Sequence, residues 1–507
     1  MSGTHDGVSR RAFLGGVGAT AVAAVTLDLD AAIAASAKAE AEGVLANNFG
    51  RIFQLPPFVN ASDAVRAGLT EMGKAGGIMD AKDPLHFGPI RLITEPELSP
   101  NNVDNPTQTA GTTFLGQFLD HDMTFDETSP LGVPKRPEDS PNTRTPQFDL
   151  DTMYGGGPDV SPHLYQTNDR AKFRIESGGQ FEDLPRRSNG SAIIPDDRND
   201  ENMMISGLHV AFMKFHNRVV DRVRSQNLPN TFGTSRLHVL WHYHWIILHE
   251  FLPQIVGQPL IDHIMRNGRQ FYRPSTPFIP VEFQIAYRMG HSMIRPSYRA
   301  NLKGDANSAP FFGFIFDPAG EGQADPVDLR GGIRARRRFI GWQTFFDFGD
   351  GEVRRNKRID TKLSTPLFHL PLMTIPGGDP PISLATRNLL RHVTWSLPSG
   401  QRLAQTMGIS PVDTSELAAF NIGIERSAPL WYYVLKEAET LAGGQRLAGV
   451  GARLIAEVFI GLLQLDSQGF LVNAPNWRPF LPSRTSRDFT MLDLLTYAEV
   501  DPASRRQ

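Results

Sequence analysis

Residues 112–125, TTFLGQFLDHDMTF, are the stretch on which the interpretation of this sequence depends. Their apolar side chains recur at three- and four-residue intervals, which predicts an α-helix: Phe114, Leu115, Phe118 and Leu119. On such a helix Gln117 and His121 share a face, with Asp120 beside it, whereas Asp122 points elsewhere. Two acids flanking a histidine on an apolar helix are costly to bury unless each has a partner. The pattern therefore predicts a polar site inside a hydrophobic core.

Several other segments follow the helical period, and no internal repeat or strand-rich region is present. Residues 126–200 are rich in Pro, Gly, Asp and Asn and predict long loops, which in compact proteins often wrap a site or bind an ion. We therefore expect a mainly α-helical fold with few short strands. The further helices are predicted within residues 202–223, 237–257 (interrupted at Pro253), 286–296, 383–391 and 447–465.

The composition is that of a globular protein, and it limits the kinds of partner and of metal site that we expect. The chain has 507 residues, of which 40% are hydrophobic and 21% charged, and its formal net charge of -3 predicts neither a nucleic-acid nor an anionic-membrane partner. The basic run RARRR at residues 334–338 is isolated and indicates a solvated loop. Because the chain has no cysteine, any metal must be held by histidine, carboxylate or carbonyl groups.

The N-terminus is predicted to be an export signal. Arg10 and Arg11 precede a short apolar stretch, and Ala35-Ser36-Ala37 suits a signal-peptidase site. We expect residues 1–37 to use the twin-arginine export machinery, which carries folded, cofactor-loaded proteins to the periplasm or the outside of the cell. No later run reaches membrane-spanning length, so no membrane span is expected in the mature chain, residues 38–507.

The segment GQFLDHDMTF resembles the distal-helix motif of the animal-type haem peroxidases, especially their single-chain bacterial members. Four more segments match this family in order, at residues 145–155, 198–218, 287–296 and 387–401. The resemblance spans most of the chain after the signal, which favours one large haem-peroxidase domain over the roughly two or three domains that length alone suggests. It implies a haem cofactor, either haem b or an ester-linked derivative.

The resemblance also implies the residues on the two sides of the haem. His121 and Arg198 match the distal base and the distal cation, which suit proton transfer and charge stabilisation during peroxide cleavage; Gln117 shares their side. His291 matches the proximal iron ligand, and Asn388 matches the residue that accepts a hydrogen bond from its other ring nitrogen.

Further contacts with the haem are implied by position in the motifs. Arg391 matches an arginine that pairs with a haem propionate, and Arg288 is a second candidate contact. Asp120 and Glu201 match the two residues that form ester links in the family. Asn202 stands where myeloperoxidase carries a methionine, so a sulfonium link is not expected.

A calcium site is implied beside the distal helix. Residues 145–151, TPQFDLD, offer oxygen donors at alternate positions, as calcium requires. The resemblance assigns the ligands to Asp122, Thr145, Gln147 (through its carbonyl), Asp149 and Asp151. The family has a serine where Asp151 stands.

Three functions remain open at this point. The first is a peroxidase, in which hydrogen peroxide oxidises the haem through an oxoferryl intermediate and phenolic compounds, halide or thiocyanate donate the electrons. The second is a fatty-acid dioxygenase of the same superfamily, which needs a tyrosine three residues before the proximal histidine. Arg288 occupies that position, and Tyr287 is offset by about 100° of helix. The third is a non-catalytic, calcium-stabilised secreted scaffold.

Overall fold

The computed structural model describes residues 47–507, so the predicted export signal lies outside the described residues. Helices dominate this part of the chain: α1 (Asp63–Gly73), α2 (Gly88–Thr94), α3 (Ala110–Met123), α4 (Asp151–Tyr154), α5 (Gly157–Val160), α6 (Met203–Ser225), α7 (Thr231–Ile246), α8 (Leu252–Val256), α9 (Gln258–Asn267), α10 (Val281–Tyr287), α11 (Gly290–Met293), α12 (Leu384–Thr394), α13 (Gly400–Thr406), α14 (Leu430–Ala442), α15 (Gly449–Leu465), α16 (Phe470–Asn473), α17 (Met491–Tyr497) and α18 (Pro502–Arg505).

The strands are short and pair two by two. Strands β1 (Asp104–Thr109) and β6 (Arg355–Lys357) are antiparallel, as are β2 (Glu176–Ser177) with β3 (Glu182–Asp183), and β4 (Ser297–Asn301) with β5 (Phe311–Phe314). Buried apolar side chains from Phe49 to Val500 form one continuous cluster around the helices. The prediction of a mainly α-helical fold is confirmed.

The predicted helix at residues 112–125 is α3, displaced by two residues at each end. Most of its side chains are buried, which places it at the centre of the core rather than on the surface. Phe118 stacks on Phe212 of α6 at a centroid distance of 4.7 Å. The helix ends at Met123 because Thr124 turns to extended backbone. A central position explains why its few polar side chains must find buried partners.

The two long helices that follow the loops lie where the sequence pattern predicts them, but not all of their ends agree with the prediction. Asn202 caps α6, because its side chain accepts a hydrogen bond from the N–H of Ile205. The next helix begins at Thr231 rather than 237, and a π-helical turn, Ile247–Phe251, separates α7 from α8. The Leu252 N–H bonds to the Ile247 carbonyl in this wider turn. Such a turn gives Pro253, which has no N–H, a place in a continuing helical path.

The basic run at residues 334–338 is a loop, as expected, but it is only partly solvated. Arg334 forms ion pairs with Glu176 and Asp183 at 2.7 and 2.8 Å, and these acids flank the β2–β3 hairpin. The Arg338 side chain is buried. The run therefore anchors the long loop region to the body of the protein.

No helix in residues 47–507 is long and apolar enough to cross a lipid bilayer.

Candidate active site

A cavity of about 240 Å³ lies between α3, the turn before α6, the α10–α11 corner and α12. Apolar side chains such as Phe251, Ile315 and Leu370 form much of its wall. All nine residues that the sequence assigned to the haem site line this one cavity: Gln117, Asp120, His121, Arg198, Glu201, Arg288, His291, Asn388 and Arg391. The fold thus brings together four segments that are far apart in the chain.

His121 is held in place by Asn199, a residue whose role the sequence did not predict. Its Nδ1 lies 2.9 Å from the Asn199 Oδ1, while the Asn199 Nδ2 lies 3.1 Å from the His209 Nδ1. An amide nitrogen only donates, so the Asn199 oxygen accepts the N–H of His121 Nδ1. Burial, reinforced by Arg198, lowers the pKa of His121 to about 3. The ring is therefore neutral, and its Nε2 carries a lone pair.

Arg198 is fixed beside His121 by a carboxylate and two carbonyls. Its Nε and Nη2 donate to Asp196 at 3.0 and 2.7 Å. Its Nη1 and Nη2 also donate to the carbonyls of Thr124 and His121, at 2.9 and 3.0 Å, which satisfies the open end of α3. Burial acts to lower the pKa of Arg198, but Asp196 outweighs it and raises that pKa. Four of the five guanidinium N–H groups are thus used, and one on Nη1 remains.

His291 also lines the cavity and contacts Asn388, as predicted, but the direction of the hydrogen bond differs. The Asn388 Nδ2 donates to the His291 Nδ1 at 2.7 Å, because the Asn388 oxygen accepts from Arg288 at 2.8 Å. With Nδ1 as the acceptor, a neutral His291 carries its proton on Nε2, so the role expected of Asn388, as acceptor of the Nδ1–H, requires the amide to turn over. Burial, followed by Arg288, lowers the pKa of His291 to about 3, so this ring is also neutral.

Two arginines line the same side of the cavity as His291. Among residues 47–507, Arg288 makes one side-chain hydrogen bond, so four of its five N–H groups have no protein acceptor. Burial, followed by the charge of Arg391, lowers the pKa of Arg288 to about 9. Arg391 already donates to Asp126 at 2.8 Å and to the Ser129 carbonyl at 2.9 Å. The contact between Asp126 and Arg391 was not expected from the sequence. It uses part of the hydrogen-bonding capacity of the guanidinium that the resemblance assigned to a haem propionate.

The two predicted ester-forming acids both reach the cavity. Glu201 accepts from the Gln117 Nε2 at 3.1 Å, and Asn202 donates to the Gln117 Oε1 at 3.2 Å. Burial raises the pKa of Glu201 to about 8 and that of Asp120 to about 6. Both carboxyl groups are therefore easier to protonate than in water.

The predicted calcium loop packs against α3 through Asp122. Oxygen atoms of Asp122, Asp149 and Asp151 all lie within 4.8 Å of one another. The Asp122 Oδ2 accepts from the Leu150 N–H at 3.2 Å and from the Tyr243 hydroxyl at 3.1 Å. Leu150 has a φ of 58°, a left-handed conformation that is strained for a residue with a side chain. The loop is thus bent to bring its acids to Asp122.

The remaining predicted ligands lie in the same turn. The Thr145 hydroxyl donates to Asp149 at 2.9 Å, and the Gln147 N–H donates to the Thr145 carbonyl at 2.8 Å. The Asp151 Oδ1 is buried and has no hydrogen-bond partner. Burial, followed by Asp149, raises the pKa of Asp151 to about 8. An orphaned buried carboxylate oxygen beside two other acids fits a hard cation.

Tyr287 also lines the cavity, one residue before the position, three residues ahead of His291, that a dioxygenase tyrosine would occupy. Its hydroxyl donates to the Gly116 carbonyl of α3 at 3.0 Å, and its ring stacks on Phe283. It therefore bridges the two walls of the cavity rather than lying free within it.

Other histidines of α6, α7 and the π-helical turn have structural partners or surroundings. The His216 Nδ1 contacts the Tyr154 hydroxyl at 2.9 Å, and the His244 Nε2 lies 2.8 Å from the Phe148 carbonyl. His242 and His244 lie two residues apart on α7, where they face different neighbours. His249 stacks on Trp245 at 3.8 Å. They form no cluster of three potential ligands within residues 47–507.

The residues around the cavity fit a haem. Two neutral imidazoles line it, and within residues 47–507 no hydrogen bond reaches the Nε2 of His121 or of His291. Apolar side chains suit the porphyrin faces, and the unpaired N–H groups of Arg288 suit an anionic propionate. The pairing of the Asn388 nitrogen with His291 is the one contact that differs from the expected set.

Comparisons with known proteins agree with this architecture. A family model described as animal haem peroxidase matches residues 126–319. Mouse (Mus musculus) eosinophil peroxidase is 28% identical over 141 residues, which is 26% of this chain and 19% of that protein. Human (Homo sapiens) eosinophil peroxidase is 26% identical over 185 residues, covering 33% and 25%. The matches thus span a fifth to a quarter of the length of these curated relatives.

Solved structures share the fold over a much larger part of the chain. Peroxidase A from Dictyostelium discoideum superposes with a TM-score of 0.58 and 15% identity, covering 89% of this chain and 93% of that one. A fatty acid alpha-dioxygenase from Oryza sativa superposes with a TM-score of 0.56 and 15% identity, covering 83% and 75%. At such identities the likeness shows the fold alone. Together with the family model over residues 126–319 and the eosinophil peroxidases, it shows that this chain is similar to the animal haem peroxidases.

Proposed function

We propose that this protein is a haem peroxidase that uses hydrogen peroxide to oxidise small donors, either phenolic compounds or halide and thiocyanate. One observation carries the proposal: the lone pair of His121 Nε2 and the remaining N–H of Arg198 adjoin one cavity that the imidazole of His291 also lines. A base and a fixed cation on one side, with a ligand on the other, form the set that peroxide cleavage requires.

The chain's own residues would divide the work as follows. Bound haem would supply the redox chemistry. The Nε2 of His291 would hold the iron, with the ring proton on Nδ1 and the Asn388 amide turned so that its oxygen accepts the Nδ1–H. The Nε2 of His121 would take the proton from the oxygen of peroxide that stays and return it to the oxygen that leaves. The Nη1 of Arg198 would stabilise the negative charge on that departing oxygen.

Peroxide handling depends on His121 being neutral and correctly oriented. Its burial disfavours the protonated ring, and Asn199 holds the proton on Nδ1. Gln117, one turn earlier on α3, is already bonded to Glu201 and Asn202, so it would shape the cavity rather than move a proton.

A calcium ion is part of the proposal. Asp122, Asp149 and Asp151 would be its carboxylate ligands, with oxygens of Thr145 and Gln147 completing the shell. Because Asp122 follows His121 directly on α3, binding of the ion would fix the end of the helix that carries the base. The buried Oδ1 of Asp151, which accepts no hydrogen bond, supports this assignment.

Covalent attachment of the haem by ester bonds from Asp120 and Glu201 is proposed on position and access. Both carboxyl groups line the cavity, and burial favours their uncharged forms. Denaturing the haem-loaded protein in acid and extracting with organic solvent would test the bonds. Haem that leaves the polypeptide completely would contradict them.

Residues 38–507 would form the peroxidase domain, delivered by a twin-arginine signal in residues 1–37 to the periplasm or the extracellular space. Replacing Arg10 and Arg11 with lysine should retain the protein in the cytoplasm during fractionation of the expressing cells. Unchanged export of the double variant would refute this route.

A fatty-acid dioxygenase remains the second candidate, because the alpha-dioxygenase from Oryza sativa shares the fold and Tyr287 lines the cavity. The hydroxyl of Tyr287 is engaged by the Gly116 carbonyl, and Arg288 holds Asn388 from the position where such enzymes carry their tyrosine. These two contacts favour the peroxidase. The neutral His121 beside the fixed cation Arg198 argues against a non-catalytic scaffold, which would need neither.

The decisive experiment follows oxidation of a phenolic dye, of bromide and of linoleate by haem-loaded protein, with and without peroxide. We expect a Soret band that responds to peroxide, and dye oxidation that requires peroxide. The His121→Ala variant should keep its haem and lose this response, whereas the surface variant His263→Ala should behave as wild type. Linoleate consumption without peroxide would support the dioxygenase, and a colourless protein would support the scaffold.

A further inference from the structure

Asp196 is buried behind Arg198 and holds it on two sides. Its Oδ1 accepts from both the backbone N–H and the Nε of Arg198 at 3.0 Å, and its Oδ2 accepts from the Nη2 at 2.7 Å. The Asp196 side chain is fully buried. A paired, two-point contact of this kind fixes the plane of the guanidinium as well as its position. Asp196 does not line the cavity, so it acts on the site only through Arg198.

Arg144 lies between Asp196 and the acidic loop. Its Nε is 3.6 Å from the Asp196 Oδ2, and its Nη1 is 3.5 Å from the Asp151 Oδ1. The Nε of Arg144 and the Oδ1 of Asp151 are both buried without a hydrogen bond. Arg144 therefore attracts two carboxylates without satisfying either of them. One of these belongs to the predicted cation loop, and the other supports Arg198.

Building on the peroxidase function proposed above, we infer that Asp196 is the positioning residue for Arg198 and that Arg144 links this position to the acidic loop. The path runs from Asp151 through Arg144 and Asp196 to Arg198. It is separate from the direct connection between Asp122 and His121 along α3.

The physical reason for such a link lies in charge and rigidity. Arg198 stabilises developing negative charge only if it is already in place, because moving a long side chain during the reaction costs entropy. Asp196 provides that order before any ligand arrives. A cation in the loop competes with Arg144 for the carboxylate of Asp151, so the ion would leave Arg144 more available to Asp196.

The first test changes Asp196 in the full, haem-loaded chain. Asp196→Ala should lower the second-order rate constant for peroxide by about 10- to 100-fold, since a displaced catalytic group costs on that order. It should also weaken cyanide binding to the ferric protein. Asp196→Asn, which keeps one acceptor oxygen, should recover part of both losses. Asp197→Asn is the matched control, because Asp197 is exposed on the same turn and makes no hydrogen bond or ion pair within residues 47–507.

The results separate positioning from a merely structural role. A loss confined to the peroxide step, with an unchanged KM for the phenolic donor, supports the inference. Wild-type peroxide and cyanide constants in both Asp196 variants would overturn it. So would losses that only follow the fraction of protein carrying haem, with no recovery in Asp196→Asn.

The second test concerns Arg144. Arg144→Gln and Asp196→Asn should each weaken cyanide binding, and the double variant should lose less than the product of the two factors, because both act on one path. In the full chain as purified, Arg144→Gln should also enlarge the rise in Tm that calcium chloride produces over a chelator, since the loop loses a compensating charge. Multiplicative losses together with a wild-type rise in Tm would remove Arg144 from the path.

Failure of the peroxidase proposal would be recognised separately. A wild-type protein that binds no haem would refute the proposed function. The calcium-dependent Tm of Arg144→Gln would still report whether Arg144 compensates the acidic loop. Conversely, an active wild type with insensitive Asp196 variants would refute only the positioning role.

Discussion

Asn199→Ala is the substitution that most directly tests the geometry of the distal side. The Asn199 oxygen accepts the N–H of His121 Nδ1 at 2.9 Å, which leaves the lone pair on Nε2. A neutral imidazole can carry its proton on either nitrogen, and only one of the two forms can accept a proton from peroxide. Removing the acceptor leaves the buried Nδ1–H unpaired and favours the wrong form.

The magnitude follows from the burial of the pair. An unsatisfied buried donor costs about 1–3 kcal/mol, which corresponds to a factor of about 5 to 150 in an equilibrium constant. If all of this energy shifts the equilibrium between the two neutral forms of the His121 ring, the rate constant for reaction with peroxide should fall by about that factor. Since the base itself contributes about 10²- to 10⁴-fold, the effect should be smaller than that of His121→Ala.

The assay is stopped-flow mixing of ferric, haem-loaded protein with peroxide, monitored at the Soret band. Asn199 also donates to His209, so His209→Phe serves as the control for losing that second contact. We expect Asn199→Ala to fall between wild type and His121→Ala, with His209→Phe near wild type. A rate constant within twofold of wild type, at full haem occupancy, would refute the tautomer argument; a loss equal to that of His121→Ala would show that Asn199 does more than orient the ring.

Three further predictions concern the proximal side, the cation and the pH dependence of stability. His291→Ala should lose the proximal-ligand signature in absorption and electron paramagnetic resonance spectra, and added imidazole should restore it; an unchanged spectrum would exclude His291 as the ligand. Asp149→Asn should abolish most of the rise in Tm that calcium gives the wild type. At a hundredfold excess of calcium over Kd, that rise is equivalent to about 2.7 kcal/mol. Equal rises in both proteins would contradict the assigned site. Burial raises the pKa of Glu437 to about 7, against two bonds from the start of α15 that lower it. The native state therefore keeps a proton that the unfolded chain releases from its ordinary value of 4.5, so the stability of the wild type should fall as pH rises from about 4.5 to 7, by about 3 kcal/mol from this group. Urea unfolding across this range should show a flatter profile for Glu437→Gln, and parallel profiles would show that Glu437 does not titrate there.

Local sequence patterns predicted much of the fold and most residues of the site. The helical period around Phe118 and Leu119 predicted α3, because a helix needs only neighbouring residues to form its hydrogen bonds. The cap at Asn202 is equally local. The π-helical turn before Pro253 could not be predicted, since a proline in a helix can be accommodated by several local geometries.

The residues that hold the site side chains in place could not be predicted from the sequence, for a different reason. Asn199 and Asp196 flank Arg198 in DDRND, and that proximity was the one local signal of their roles. Asp126 comes from a loop 265 residues away from Arg391, and no local pattern announces such a pair.

The order of residues along the chain identifies the set of reactive groups: a histidine between two acids, a distant arginine and a second histidine, in an order typical of one family. Which atoms of these groups are engaged, and which are left for a ligand, depends on the folded chain. Arg288 takes the oxygen of Asn388 and turns the amide nitrogen toward His291, and Asn199 turns the Nδ1 proton of His121 away from the cavity. The reason is that hydrogen bonds between distant segments depend on donor and acceptor directions, which exist only once the chain has closed around the cavity.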